Sequence, residues 1–192
     1  MKVLKLSYNK QKDIDLWTDM KFGDKGAFNQ IFEEHVHYLT NYGKTFTADW
    51  DLVDDCIQEV FCRIWILRKE LKTTDNIRFY LMASFRNELM KSLQKRKKFN
   101  LIASWSELDA KAATFDMSAE NLMFLENNDG RLSQKIKEIF IKLTSRQKEI
   151  IYLKYYNELS FEEISQVMQI SKKAVYNALS KAMMTLRKGV SK

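Results

Sequence analysis

Two sets of side chains in this 192-residue chain have types and spacing suited to chemistry. In both cases the chemistry is recognition. Near the middle, Asp49, Asp51, Asp54, Asp55 and Glu59 form an acidic block with no intervening base, and Gln58 lies among them. Such a run attracts a cationic surface. After Ser171 the pattern reverses, with six basic residues and no acid, and Lys172, Lys173, Tyr176, Asn177, Ser180 and Lys181 recur at helical spacing. Ammonium groups beside hydroxyl and amide groups suit phosphate neutralisation and contact with base edges. A further basic block gathers Lys91, Lys95, Arg96, Lys97 and Lys98. This segregation suggests one surface for protein and another for nucleic acid.

Composition narrows the remaining classes. Lys and Arg outnumber Asp and Glu 32 to 25, giving +7, a balance that favours polyanionic partners. There is no glycine-rich phosphate loop, no HExxH, and no nucleophile, base and orienter set among residues that include only two histidines. Cys56 and Cys62 lie about 240° apart on a continuous helix, so they can neither bridge nor share a metal. His35 and His37, at i and i+2, face different ways, and no metal site is expected. The N-terminus lacks the apolar core of a signal peptide and no segment approaches the ~20 apolar residues of a membrane span, so a cytoplasmic protein without membrane insertion is expected.

The elements that position these residues are helical. The chain has no Pro and 5 Gly, none between Gly43 and Gly130, so it lacks the turn punctuation of hairpins and sandwiches. The expected fold is all-α, in two small helical domains joined by a linker. Between Asp13 and Lys98 apolar residues keep a helical period broken near FGDKG, TFTADWD and KTTDN, which predicts three main helices after a short leading one. Val53, Ile57, Val60, Ile64 and Leu67 make one buried stripe, leaving Asp54, Asp55, Gln58 and Glu59 off it. Leu81, Met82, Phe85, Leu89 and Leu93 make another, opposite Asn87, Lys91, Gln94, Lys95 and Lys98. From Phe99 to Asp129 the period weakens, which predicts a linker, and a second helical block follows to about Lys188.

Within that block, Thr144 with Gln147 and Ser160 with Glu163 have capping-box spacing. Ser171 can cap a third helix starting at Lys172, after a corner at Met168, Gln169 and Ile170. Two helices meeting at so tight a corner form a helix-turn-helix. Its second helix buries Val175, Leu179, Ala182 and Leu186 and presents its basic and polar residues on the opposite face.

Taken together, DLVDDCIQEVFCRIW, YLMASFRNELMKSLQKRKK and LTSRQKEIIYLKYYNELSFEEISQVMQISKKAVYNALSKAMMTLRK resemble, in order and spacing, the extracytoplasmic-function sigma factors of bacterial RNA polymerase, within the sigma-70 family. The resemblance covers most of the chain. It implies a non-enzymatic specificity subunit without cofactor, in which residues 1–98 resemble sigma region 2, 99–129 the linker and 130–192 sigma region 4. Implied partners are core polymerase, through the beta-prime clamp helices and the beta flap, promoter DNA, and an anti-sigma factor. The resemblance places docking on the polymerase at Asp51, Asp54, Asp55, Gln58 and Glu59. It places the holding of unpaired promoter bases on the loop Lys72 to Asn76 and the adjoining helix, with Asn76, Phe79, Tyr80, Arg86, Asn87, Lys91 and Lys95. It assigns reading of the upstream element to Lys172, Lys173, Tyr176, Asn177, Ser180 and Lys181. Gln169 stands where the family often has Gly, so a left-handed corner there would be strained.

A stand-alone helix-turn-helix regulator with an N-terminal sensing or dimerisation domain accounts equally well for the C-terminal half. It does not predict an acidic helix followed by an aromatic and basic one.

Overall fold

The computed structural model describes residues 9–103, 115 and 138–190, with the backbone alone for 97–103 and 190. Four helices come first: α1 (Lys10–Lys21), α2 (Lys25–Gly43), α3 (Trp50–Leu67) and α4 (Ile77–Ala103). The three breaks between them fall where the sequence loses its helical period. After a helical turn at 138–141 come α5 (Ser145–Ile151), a π-helical stretch over Tyr152–Tyr156, α6 (Phe161–Val167) and α7 (Lys172–Val190). No strand occurs among the described residues. The chain divides into two units, one of Met1–Gly43 with Asp49–Ser92 and another of Lys44–Ala48 with Leu93–Lys192.

In the first unit, Trp17 and Met20 of α1, Ile31, Leu39 and Tyr42 of α2, Val53, Ile57, Val60 and Ile64 of α3, and Leu81, Met82, Phe85 and Leu89 of α4 are buried. The stripe expected on α3 is thus present except at its last member, for Leu67 is 38% exposed where the helix ends. Leu93, the last member expected on α4, is half-buried. Gly43 closes α2 where a Cβ would lie 2.6 Å from Val53 Cγ1 and 3.0 Å from Phe85 Cζ, so only glycine lets these elements approach so closely. Each break has a local cause. Asp24 Oδ1 accepts from Gly26 N (2.6 Å) at the start of α2, and Asp49 Oδ1 accepts from Leu52 N (3.0 Å) at the start of α3.

In the second unit both capping boxes form, Thr144 with Gln147 and Ser160 with Glu163. Ser171 Oγ accepts from Ala174 N (3.2 Å), which makes it the third cap. Val175, Leu179 and Ala182 of α7 are buried with Ile150, Ile151, Leu153, Ile164 and Val167, while Leu186 and Ile170 are half-buried. Two non-glycine residues adopt positive φ on either side of α6, Glu158 at 58° and Gln169 at 54°. The corner at Gln169 is therefore the left-handed turn for which a glycine would be easier. Helix α4 runs to Ala103, five residues beyond 98, and most of the span expected as linker lies outside the described residues.

Candidate nucleic-acid and protein interfaces

Three surfaces carry the residues singled out by the sequence. On α3, Asp51, Asp54, Asp55, Gln58 and Glu59 are all exposed. Glu59 already has a partner: Arg63 donates to Glu59 Oε1 (2.9 Å) and to Glu88 Oε2 of α4 (2.9 Å). The hydrogen bond to Glu59, then that to Glu88, hold the Arg63 guanidinium more firmly protonated than usual. Asp49 is engaged in capping, leaving the other carboxylates of the block on the outer face.

Continuing that face at three- and four-residue spacing, Cys62, Trp65 and Ile66 follow Gln58 into a groove between α2 and α3 of about 480 Å³. Its aromatic wall runs in sequence, Phe32 edge-on to Phe61 (4.9 Å between ring centres), Phe61 edge-on to Phe28 (5.9 Å) and Phe28 tilted against Trp65 (5.0 Å). Arg68 lies over the Trp65 ring at 4.4 Å. Sequence reasoning misses this groove. A signal for it exists in the i, i+4 pairs Phe28/Phe32 and Phe61/Trp65, which lie beside the stripe counted as core.

The second surface is the loop before α4 and the helix itself. Asn76 is its N-cap: Oδ1 accepts from Phe79 N (2.9 Å), and Asn76 N donates to Thr74 Oγ1 (3.2 Å). The side-chain oxygen that would meet a base is thus already engaged in starting the helix. Phe79, Tyr80, Arg86 and Asn87 are half-buried, while Lys91 is exposed and so is Lys95. Helix α1 also reaches this loop, through Trp17 Nε1, which donates to Lys72 O.

The third surface is α7, on which Lys172, Lys173, Tyr176, Asn177, Ser180 and Lys181 are all exposed. Two of them have partners in α6. Lys172 Nζ pairs with Glu162 Oε2 at 3.1 Å, and the Tyr176 ring lies nearly flat on Phe161, with centres 4.1 Å apart and planes at 22°. Lys154 Nζ sits 5.0 Å from the centre of the Phe161 ring and donates to Leu159 O (3.1 Å). The corner is therefore braced by one ion pair and one ring stack.

Among titratable groups, His35 stands out. It is 6% exposed and its Nδ1 has no hydrogen-bond partner among the described residues; burial, then the Arg78 charge, push its pKa down to about 4. Cys56 is buried and its thiol is pushed up by burial; Cys62 is exposed, and both are free thiols.

Comparison with known proteins agrees with this geometry. The family description "Sigma-70 region 2" matches residues 31–99, and "Sigma-70, region 4" matches 133–186. The chain belongs to the sigma-70 family of RNA polymerase sigma factors, in its extracytoplasmic-function group. It is 22% identical over 161 residues to the RNA polymerase sigma factor NccH of Alcaligenes xylosoxydans xylosoxydans, covering 83% of this chain and 84% of that one. Its fold is similar to CnrH, solved in complex with the cytosolic domain of CnrY, with a TM-score of 0.57, 20% identity, and coverage of 92% of this chain and 95% of that one. It is also similar to RpoE of Bartonella quintana, solved with the anti-sigma factor NepR, with a TM-score of 0.59, 17% identity, and coverage of 85% and 96%. The protein is an RNA polymerase sigma factor, directing promoter-specific initiation. No helix among the described residues is long and apolar enough to cross a membrane.

Proposed function

We propose that the three surfaces divide the work of initiation. Asp51, Asp54, Asp55, Gln58 and Glu59 on α3, with the aromatic groove that continues their face, dock on the beta-prime clamp helices of core polymerase. Opposite charge steers the encounter, and apolar burial in the groove holds it. The loop Lys72 to Asn76, with Phe79 and Tyr80, receives unpaired bases of the downstream element while Arg86, Asn87, Lys91 and Lys95 follow the backbone. The face of α7 reads the upstream element in duplex form, and the second unit rests on the beta flap. Residues 1–98 and 130–192 act as separate modules and 99–129 as the tether. The protein acts in the cytoplasm as a specificity subunit without catalysis or cofactor of its own, and an anti-sigma factor holds it inactive.

The observation that carries this reading is the exposure of every acidic candidate on α3 and of every basic or polar candidate on α7. In vitro transcription with core polymerase on genomic fragments tests it. Initiation at discrete start sites only when this protein is added is the expected result; an absence of defined starts overturns it.

A further inference from the structure

Helix α1 makes a series of contacts to the loop proposed to hold unpaired bases. Asp13 Oδ2 accepts from Ile77 N at 2.8 Å, joining two residues 64 apart in sequence at the first turn of α4. Trp17, fully buried, donates from Nε1 to Lys72 O at 3.0 Å, at the other end of the loop. The same indole meets the Tyr80 ring edge-on at 4.8 Å and 62°. At the surface, Lys10 Nζ pairs with Asp75 Oδ2 at 2.7 Å, which holds that carboxylate ionised below its usual range. Three side chains on successive turns of one helix therefore fix the two ends and the middle of a loop whose own hydrogen bonds between Thr74 and Asn76 are local.

The chemistry of the contacts is selective. A backbone N–H at a helix start is one of the donors a helix cannot satisfy itself, and α4 already has Asn76 for Phe79 N. Supplying Ile77 N from α1 ties the loop's exit to a different element. Asp13 is desolvated, and burial raises its pKa while the bond to Ile77 lowers it, so the carboxyl is kept at this position against its own hydration. A side chain needed only for packing has no reason to be a carboxyl there. The indole likewise joins its polar edge to a loop carbonyl and meets Tyr80, a candidate for contact with an unpaired base.

We infer that Asp13, Trp17 and Lys10 are positioning residues: α1 presets the shape of the Lys72–Asn76 loop and the Tyr80 ring so that the pocket for an unpaired base exists before DNA arrives. This rests on the proposed role of the loop. A preset pocket discriminates between bases more sharply than a pliable loop, because a fixed wall cannot reshape itself around a non-cognate base, and it also spares binding the cost of ordering the loop.

The test uses holoenzyme assembled from core polymerase and the full chain, with a pool of sequence-randomised single-stranded DNA as probe; retained strands are sequenced and affinity for core polymerase is measured in parallel. Asp13→Ala and Trp17→Phe are expected to reduce enrichment of the preferred sequence by about tenfold, the effect of losing one well-placed hydrogen bond, with core affinity unchanged. Asp13→Asn, which keeps an acceptor oxygen, restores selectivity. Lys10→Glu, at an exposed position that cannot unfold the core, lowers selectivity in the same direction and keeps the inference testable if the buried variants fail to fold. A paired substitution in the loop, Lys72→Ala with Thr73→Ala, separates the two levels. If the loop variant loses selectivity while the α1 variants keep it, the positioning role is overturned and the loop's function stands. If the loop variant keeps full selectivity, the loop does not hold bases, and both fall.

Discussion

Acidification should destabilise the first unit through one buried group. His35 on α2 is 6% exposed, and burial first, Arg78 second, lower its pKa from 6.5 to about 4, against a smaller opposing pull from Glu34. Arg78 cannot move away easily, because its guanidinium lies over the Tyr38 ring at 4.5 Å. The folded protein therefore refuses a proton that the unfolded chain accepts. Between those two values the unfolded state binds more protons, so stability is fully present above pH 6.5 and is lost as pH falls toward about 4. Integrated from pH 7.5 to pH 5, the loss is about 2 kcal/mol. Two neighbours also shift. Asp13, raised by burial, works in the opposite direction, and Glu34, lowered mainly by its hydrogen bond with Lys12 against desolvation, works in the same one; their ordinary values are 3.8 and 4.5. Asp13 has no electrostatic coupling to His35, whereas Glu34 does, so comparison with a His35→Gln variant isolates the imidazole together with its coupling to Glu34. Urea denaturation followed by the indoles of Trp17, Trp50 and Trp65, in a background with Trp105→Phe, reports this unit. The wild type should lose about 2 kcal/mol more than the variant over that range; a difference below about 0.5 kcal/mol would refute the reasoning, being within extrapolation error.

The other predictions concern the corner and the charged faces. Gln169→Gly should raise the thermal midpoint of the second unit by a few degrees, since removing a left-handed penalty of about 1–2 kcal/mol outweighs the ~0.5–1 kcal/mol entropy of an added glycine; Gln169→Val should lower it. Asp54→Lys with Asp55→Lys should slow association with core polymerase about tenfold at low salt and much less at high salt, with dissociation little changed, in stopped-flow measurements. Lys172→Ala should flatten the dependence of log affinity for upstream-element duplex on log salt by about 0.9, the contribution of one phosphate contact. An unchanged slope removes Lys172 from the interface. The protein without polymerase should bind duplex promoter DNA poorly in a gel-shift assay, and a tight sequence-specific complex would contradict the division of labour.

What the sequence makes legible follows the range of the interactions involved. The caps at Thr144, Ser160 and Ser171 could be read directly, because a capping box is a contact between residues three apart and its chemistry is fully local. The buried stripes of α3 and α4 could be read for the same reason, one period at a time, and they failed only at Leu67 and Leu93, their last members. The exposure of the α3 and α7 candidates then followed by elimination. What could not be read is contact across large separations. Nothing near Asp13 in sequence indicates that its carboxyl ends on Ile77 N, and nothing near Tyr176 shows that its ring lies on Phe161. The groove falls between these cases. Its i, i+4 aromatic pairs are visible, but whether such a pair is core or surface depends on which neighbouring helix covers it.

The partnerships on α7 explain why a helix with so much recognition chemistry is suited to acting within an assembly. An exposed ion pair such as Lys172 with Glu162 contributes at most about 1 kcal/mol to folding; under the proposed role of α7 it is exchanged for phosphate when DNA binds, and so subtracts from affinity about what it adds to the fold. The Tyr176 ring, stacked on Phe161, holds the pitch of α7 against α6 and in doing so forgoes free movement toward a base. Both features brace the corner, and on the proposed reading of α7 they lower its affinity for DNA. A rigid, weak reader gains discrimination only if a second contact supplies the missing free energy without adding sequence-independent cations. The docking proposed for α3 would meet that condition, because an acidic face adds nothing to non-specific attraction for DNA. On the proposed division of surfaces, carboxylates facing the polymerase and a paired Lys172 facing the promoter form one arrangement: each surface would be weak for the wrong partner so that the combination is selective.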